Sequence, residues 1–373
     1  MPGKTYLVGG AVRDEMLDLP VQERDWVVVG ATAEAMVAAG FRRVDPDFPV
    51  FLHPVSGEEY ALARREFKTG AGYRGFLTEA GPDVTLQQDL VRRDLTINAM
   101  ARGPEGELVD PFDGERDLRE GLLRHVSPAF VEDPVRLLRV ARFAACLGAC
   151  GFRVAHPTHR LMKQMVQAGA IAELQAPRIA RELGRALECA QPWRFFEVLH
   201  ACGGLRELLP GLAEGITSGH GEGGANPGLA ALHAATQRSA NPEVRLAALL
   251  LSLPDSLETL QSRLGLSRRV TRWVRTGRSL WVRLQGGADM LATELESLLG
   301  AMGAWRDNGE FEVLLTLFRV QPEAPNLVAQ LEDLRRSAAA IDIDALRREG
   351  LQGAELGRAI TAARCAAIAA ARL

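Results

Sequence analysis

A chain of 373 residues exceeds the roughly 150 residues that one compact core usually organises, and 47% hydrophobic with 24% charged residues excludes a disordered or fibrous chain. No run of about 18 uncharged apolar residues occurs and no basic-then-apolar leader opens the sequence, which argues against a membrane span or secretory signal and for a cytoplasmic protein. A net charge of −3 excludes a uniformly basic nucleic-acid binder, yet between positions 136 and 200 ten basic residues stand against four acidic ones, enough for a local phosphate-binding face.

In chain order, Tyr6–Val8 reads as a short strand that breaks at Gly9-Gly10 before a helical stretch, Ala11–Leu17. A glycine pair there leaves backbone N–H groups open to a triphosphate, and Arg13 adds a fixed positive charge. Next, Glu23 and Asp25 stand one residue apart ahead of the β-branched and aromatic run Trp26–Val29. Strand periodicity puts both carboxylates on one face, a pair able to hold Mg²⁺. Helix is expected at Thr32–Ala39, with strands at Tyr60–Ala63 and Leu108–Val109, so residues 1–125 form a small α/β unit with a mixed sheet.

Arg92-Arg93-Asp94 sets two cations before the apolar, helix-like segment Leu95–Met100, with Asp94 or Thr96 able to cap it and Arg93 able to reach triphosphate oxygens. In 132–145, Asp133 is an N-cap candidate and Pro134 a first helical residue. Helical periodicity then stacks Arg136, Arg139 and Arg142 on one cationic face, opposite a buried face of Leu137, Ala141 and Ala144. From Asp133 onward strand signals nearly vanish, so the second half is expected to be all-helical, with the glycine-rich stretch 217–228 as a mobile connection. Five scattered cysteines, none spaced CxxC, argue for reduced thiols rather than a disulfide framework or zinc site.

These segments occur jointly, and in this order they resemble the class II tRNA nucleotidyltransferases, or CCA-adding enzymes, of the polymerase-β superfamily, bacterial gamma/betaproteobacterial type. The likeness rests on GGAVRD (9–14), ERDW (23–26), EEYALARREFKTGAGYRGF (58–76), RRDLTINAMA (92–101), DPFDGERDLREGLLRHV (110–126), EDPVRLLRVARFAA (132–145) and PRIARELGRAL (177–187). It implies a nucleotidyltransferase head over 1–126, a helical neck over 127–210 that selects nucleotide and binds RNA, and a helical body and tail over 211–373. By residue, it implies that Glu23 and Asp25 hold Mg²⁺ and carry catalysis, that Gly10, Arg13, Arg93, Arg139 and Arg142 contact the nucleoside triphosphate, and that Glu59 lies near a third acidic position. Asp133 and Arg136 match the pair that reads the base in place of a template. A carboxylate accepts from the exocyclic amino group of cytosine or adenine while an arginine donates to the adjacent ring acceptor, so CTP and ATP are admitted and UTP and GTP are not. The switch from C to A belongs in that family to a flexible loop, here near Arg65–Phe76 with Gly70, Gly72 and Gly75. The implied partners are the acceptor and T arms of tRNA, with no DNA and no membrane, and a monomer is expected. A poly(A) polymerase, a partial CC- or A-adding enzyme, and a catalytically degenerate RNA-binding homologue are the alternatives.

Two departures stand out. The family carries Asp at both metal positions, and Glu23 replaces the first, moving its oxygens on the order of 1 Å. Leu251-Ser252 falls where relatives with an HD phosphohydrolase domain place their His-Asp dyad, so 211–373 reads as an HD-like region without that activity, and His220 and His233 read as ordinary histidines. The terminal segment 341–373, with Gly350, Gly353 and Gly357 interrupting its helices, resembles the family's tRNA-contacting tail.

Overall fold

The computed structural model describes residues 2–44, 49–68, 70, 76–216, 226–286 and 290–372. They fall into two compact units, one of residues 1–186 with 194–207 and the other of 187–193 with 208–373.

The first unit is built on a seven-stranded sheet. Its strands are β1 (Lys4–Val8), β2 (Asp25–Val29), β3 (Arg42–Arg43), β4 (Val50–Leu52), β5 (Glu59–Leu62), β8 (Ala101–Arg102) and β9 (Leu108–Val109), in the order β3-β4-β5-β2-β1-β8-β9. β6 (Arg64–Lys68) and β7 (Phe76–Ala80) form a separate antiparallel hairpin. Within this sheet, among the described residues, only β2 and β5 pair in parallel, and their register sets Asp25 beside Glu59. The Val27-Val28 run is apolar without alternation because the sheet is covered on both faces. Val27 packs with Tyr6, Val8, Leu86 and Leu90 on one side, and Val28 with Met36, Phe41, Phe51 and Leu62 on the other. Period two then places Asp25 on the Val27 face, at the strand's open end.

Short helices α1 (Gly10–Met16), α2 (Ala33–Ala38), α3 (Leu86–Leu90) and α4 (Gly114–Arg119) decorate this sheet. The expected helix at Leu95–Met100 is only a 3-10 turn over Thr96–Asn98, because Asp94 and Thr96 bond to side chains rather than continuing a helical ladder. Beyond it come β10 (Leu122–Leu123), α5 (Val135–Cys146), β11 (Arg153–Val154), α6 (His156–Gln167), α7 (Ala176–Glu188) and α8 (Trp193–Ala201). β10 and β11 pair in parallel, a strand pair the sequence does not announce.

The second unit is helical throughout its described residues: α9 (Leu205–Leu208) spans its start, then α10 (Pro210–Glu214), α11 (Pro227–Thr236), α12 (Pro242–Leu251), α13 (Leu257–Leu264), α14 (Arg268–Gln285), α15 (Ala292–Ala301), α16 (Glu310–Arg319), α17 (Asn326–Ala339), α18 (Ile343–Arg348) and α19 (Gly353–Ala371). Side chains of Asn226, Asn241, Ser256 and Ser267 cap four of these N-termini, and Gly265 closes α13 at φ 62°. Gly350 stands between α18 and α19 and Gly353 opens α19, whereas Gly357 lies inside α19 and interrupts nothing. Most of the glycine-rich connection at 217–228, including His220, lies outside the described residues. No described helix is long and apolar enough to cross a membrane. Cys150, Cys202 and Cys365 are free thiols, but Cys146 and Cys189 are disulfide-bonded, correcting the expectation of five reduced cysteines. Sequence spacing says nothing about which thiols meet in space.

Candidate active site

One cavity of about 810 Å³ in the first unit gathers nearly every residue singled out above. Gly10, Arg13, Asp25, Arg93, Asp133, Arg136, Arg139 and Arg142 all line it, as does Glu59. Glu23 does not. It lies outside regular secondary structure, two residues before β2 begins at Asp25, so the strand argument does not reach it. Its charge is nonetheless felt: lost hydration pushes the Asp25 carboxyl up, Glu23 adds to that push, and the Arg93 guanidinium draws it back. Among the described residues no group of three or more His, Cys, Asp or Glu side chains is assembled that could hold a metal ion.

Of the glycine pair, Gly9 has a backbone cause: it sits at φ 72°, where L side chains are strained, and a Cβ there would also press on Arg93 Nη1 at 2.8 Å. Arg93 is held in turn by Asp89, a fully buried carboxylate at the end of α3. Asp89 accepts from the Arg64 backbone N–H (3.3 Å), from Arg92 Nε (3.3 Å) and Nη2 (2.9 Å), and from Arg93 Nη2 (3.3 Å). Among the described residues, the buried Nε of Arg93 has no hydrogen-bond partner.

A second chain of bonds runs from α5 to α1. Arg139 Nε donates to Asp94 Oδ2 (2.7 Å), Asn98 Nδ2 donates to Asp94 Oδ1 (3.1 Å), and Arg13 Nη1 donates to Asn98 Oδ1 (2.7 Å). Burial alone would push the Asp94 carboxyl up, but the Arg139 guanidinium, the Asn98 amide and the Leu95 N–H outweigh it and hold the group well below the usual carboxylate range. Arg142 Nε donates to Glu182 Oε2 on α7 at 2.6 Å, and the Phe143 ring lies among the Arg13, Arg139 and Arg142 guanidinia at 5.2, 5.7 and 4.2 Å. The cationic face of α5 is therefore partly buried, with each arginine engaged by a hydrogen-bond acceptor.

The remaining pair is fixed just as firmly. Arg136 is buried and donates Nη1 to the Ala129 carbonyl (2.9 Å) and Nη2 to the Arg92 carbonyl (2.7 Å), leaving three of its five N–H groups for other acceptors. Asp133 accepts both prongs of the Arg178 guanidinium, and helix α5 starts at Val135 rather than Pro134. Asp89, Asn98 and Glu182 are the site residues that motif reading passes over. The signal for Asp89 was present, since Arg92 and Arg93 follow it at i+3 and i+4. Of the loop near Arg65–Phe76, Gly72 and Gly75 lie outside the described residues.

In the second unit, Leu251-Ser252, the pair read above as replacing a His-Asp dyad, lies at the C-terminal end of α12. Leu251 and Leu253 are buried, and Arg278 donates to the carbonyls of Leu250 (2.8 Å), Leu253 (2.8 Å) and Asp255 (2.7 Å). His233 is exposed, with its ring centroid 4.4 Å from that of Trp193.

Residues 5–124 match the poly A polymerase head domain family, and residues 151–216 match the family described as a probable RNA and SrmB-binding site of polymerase A. The chain is 45% identical over 371 residues to a multifunctional CCA protein of Pseudomonas putida and 44% identical over 371 residues to a CCA-adding enzyme of Marinobacter nauticus, covering 98% of each chain in both cases. Among solved structures, the Thermotoga maritima CCA-adding enzyme complexed with tRNA superposes with a TM-score of 0.69 at 23% identity, covering 96% of this chain and 85% of that one. A CCA-adding enzyme in complex with ATP superposes at 0.71 and 23% identity, covering 98% and 86%. At that identity the superpositions establish the fold, a mixed-sheet head followed by a helical body.

Proposed function

The chain belongs to the family of CCA-adding enzymes, and we propose that it adds C, C and A to tRNA 3′ ends from CTP and ATP, without a nucleic-acid template and with release of pyrophosphate. The observation that carries this reading is the joint lining of one cavity by Asp25, by Arg13, Arg93, Arg139 and Arg142, and by the Asp133/Arg136 pair. Asp25 is the carboxylate assigned to activate the attacking hydroxyl in this proposal. The four arginines neutralise triphosphate and leaving pyrophosphate, with Gly10 backbone beside Arg13. Asp133 and Arg136 present one acceptor and one donor edge, the complement of cytosine and adenine. The head is proposed to end at 126 and the neck at 210, with the body beyond.

The donor set fits a hard divalent cation. Asp25, the neighbouring charge of Glu23 and the Glu59 carboxylate residue in register are oxygen donors. Mg²⁺ is commonly bound by one or two carboxylates completed by substrate phosphates, so no preassembled three-residue cage is required. When bound, Mg²⁺ supplies Lewis-acid activation of the tRNA 3′-hydroxyl and charge neutralisation at the triphosphate. Asp25 and Glu23 are the residues proposed to hold it. A Glu23→Asp enzyme is expected to add C at least as fast as the parent in single-turnover assays; a loss beyond about tenfold would show that Glu23 is not at the metal site.

The ladder length decides between activities. With tRNA transcripts lacking CCA, CTP and ATP together are expected to give three additions and then arrest. A long A ladder would favour poly(A) polymerase, the reading suggested by the head-domain match, and arrest after two would favour partial addition.

A further inference from the structure

Asp133 is held by an unusually complete set of donors. Arg178 Nη1 donates to Oδ1 at 2.9 Å and Nη2 to Oδ2 at 2.7 Å, and the Val135 backbone N–H donates to Oδ1 at 3.1 Å. Each carboxylate oxygen offers about two lone-pair sites. Oδ1 is therefore saturated, and Oδ2 keeps one. A fork of two parallel bonds also fixes the plane of the carboxylate, which a single bond would not. Arg178 sits in the first turns of α7, while Arg136 is immobilised by two carbonyls, so both halves of the proposed base-reading pair are anchored in the first unit before any nucleotide arrives.

We propose that Arg178 is a specificity-determining positioning residue: by pinning Asp133 it leaves one acceptor site facing the base and denies the carboxylate any freedom to turn away. The consequence is a penalty against the wrong base. Uracil and guanine place a carbonyl where cytosine and adenine place an amino group, so a fixed carboxylate confronts acceptor with acceptor and both go unpaired. A carboxylate free to rotate would escape that confrontation, and discrimination would fall even though Asp133 itself remained. This inference rests on the proposed base-reading role of Asp133.

The test compares Arg178→Ala and Arg178→Lys with the parent enzyme, measuring kcat/KM for CTP and UTP on tRNA ending at the discriminator and for ATP and GTP on tRNA ending in CC. Both ratios are expected to fall by roughly tenfold or more in each variant, since lysine restores charge without the two-pronged geometry. A ratio measured within one preparation does not depend on the fraction folded, so partial misfolding does not mask the result. Equal losses for all four nucleotides would reduce Arg178 to a structural contact and overturn the proposal. A gain for CTP in the alanine variant would also overturn it, showing that Arg178 blocks Asp133 instead of presenting it. If the parent enzyme shows no preference for CTP over UTP, the base-reading role of Asp133 falls and this inference with it; a selective parent with equally selective variants refutes the role of Arg178 alone.

Discussion

Replacing Asp25 by asparagine is expected to lower the rate of C addition by roughly 10³-fold while leaving the affinity for CTP within a few fold. Asparagine keeps the size and one oxygen of the side chain, so what it removes is the charge. Asp25 occupies the open end of β2, paired to Val8 on one side and Glu59 on the other, where the register allows little movement. Triphosphate binding is assigned to the arginines across the cavity, which the substitution leaves in place. The same variant is expected to be no less stable than the parent. Burial and the Glu23 charge both disfavour ionised Asp25 in the folded protein, so a neutral side chain there relieves repulsion, although it also ends the attraction to Arg93. Near-parental activity in the variant would move the catalytic carboxylate off β2. A large fall in melting temperature would make the rate loss uninformative about catalysis and contradict the electrostatic argument.

The second large effect belongs to Asp94. Asp94→Asn is expected to cost about 2–3 kcal/mol of stability at neutral pH, below the usual cost of halving a buried ion pair because Arg139 keeps about a third of its side chain in solvent. The pH dependence has a definite sign. The folded protein holds the Asp94 carboxyl below its unfolded value of about 4, so the stabilisation is complete above that pH and is lost as pH falls toward the folded value. Chemical denaturation of parent and variant should therefore give curves that differ at pH 7 and converge below about pH 4. A gap that stayed constant down to pH 3 would show that Asp94 is not the group holding Arg139. Activity should fall as well, by about 10²-fold, because Asp94 and Asn98 join Arg139 to Arg13 and a displacement near 1 Å at the triphosphate is costly.

Much of the catalytic half was legible because its signals are local. The Gly9-Gly10 break, the β-branched run after Asp25 and the arginine spacing at 136, 139 and 142 each follow from backbone preference or helical period, and each ends up where period and turn chemistry put it. What stayed hidden is non-local. The two-residue strands β3, β8, β10 and β11 are too short for a periodic signal and exist because a neighbouring strand pairs with them. Glu182 stands 40 residues from Arg142, yet it is buried as that arginine's counter-charge. Arg178 lies 45 residues from Asp133, so nothing in either segment announces their pairing. The Cys146 and Cys189 disulfide chemistry was missed for the same reason.

Family membership and the paired Asp133/Arg136 edge lead to a single central claim, that protein side chains alone choose C and then A. It is tested most directly by offering each of the four nucleoside triphosphates separately, with Mg²⁺, to tRNA ending at the discriminator and to tRNA ending in CC. Incorporation of C alone on the first and of A alone on the second is predicted; addition of U or G at a comparable rate on either RNA would contradict it.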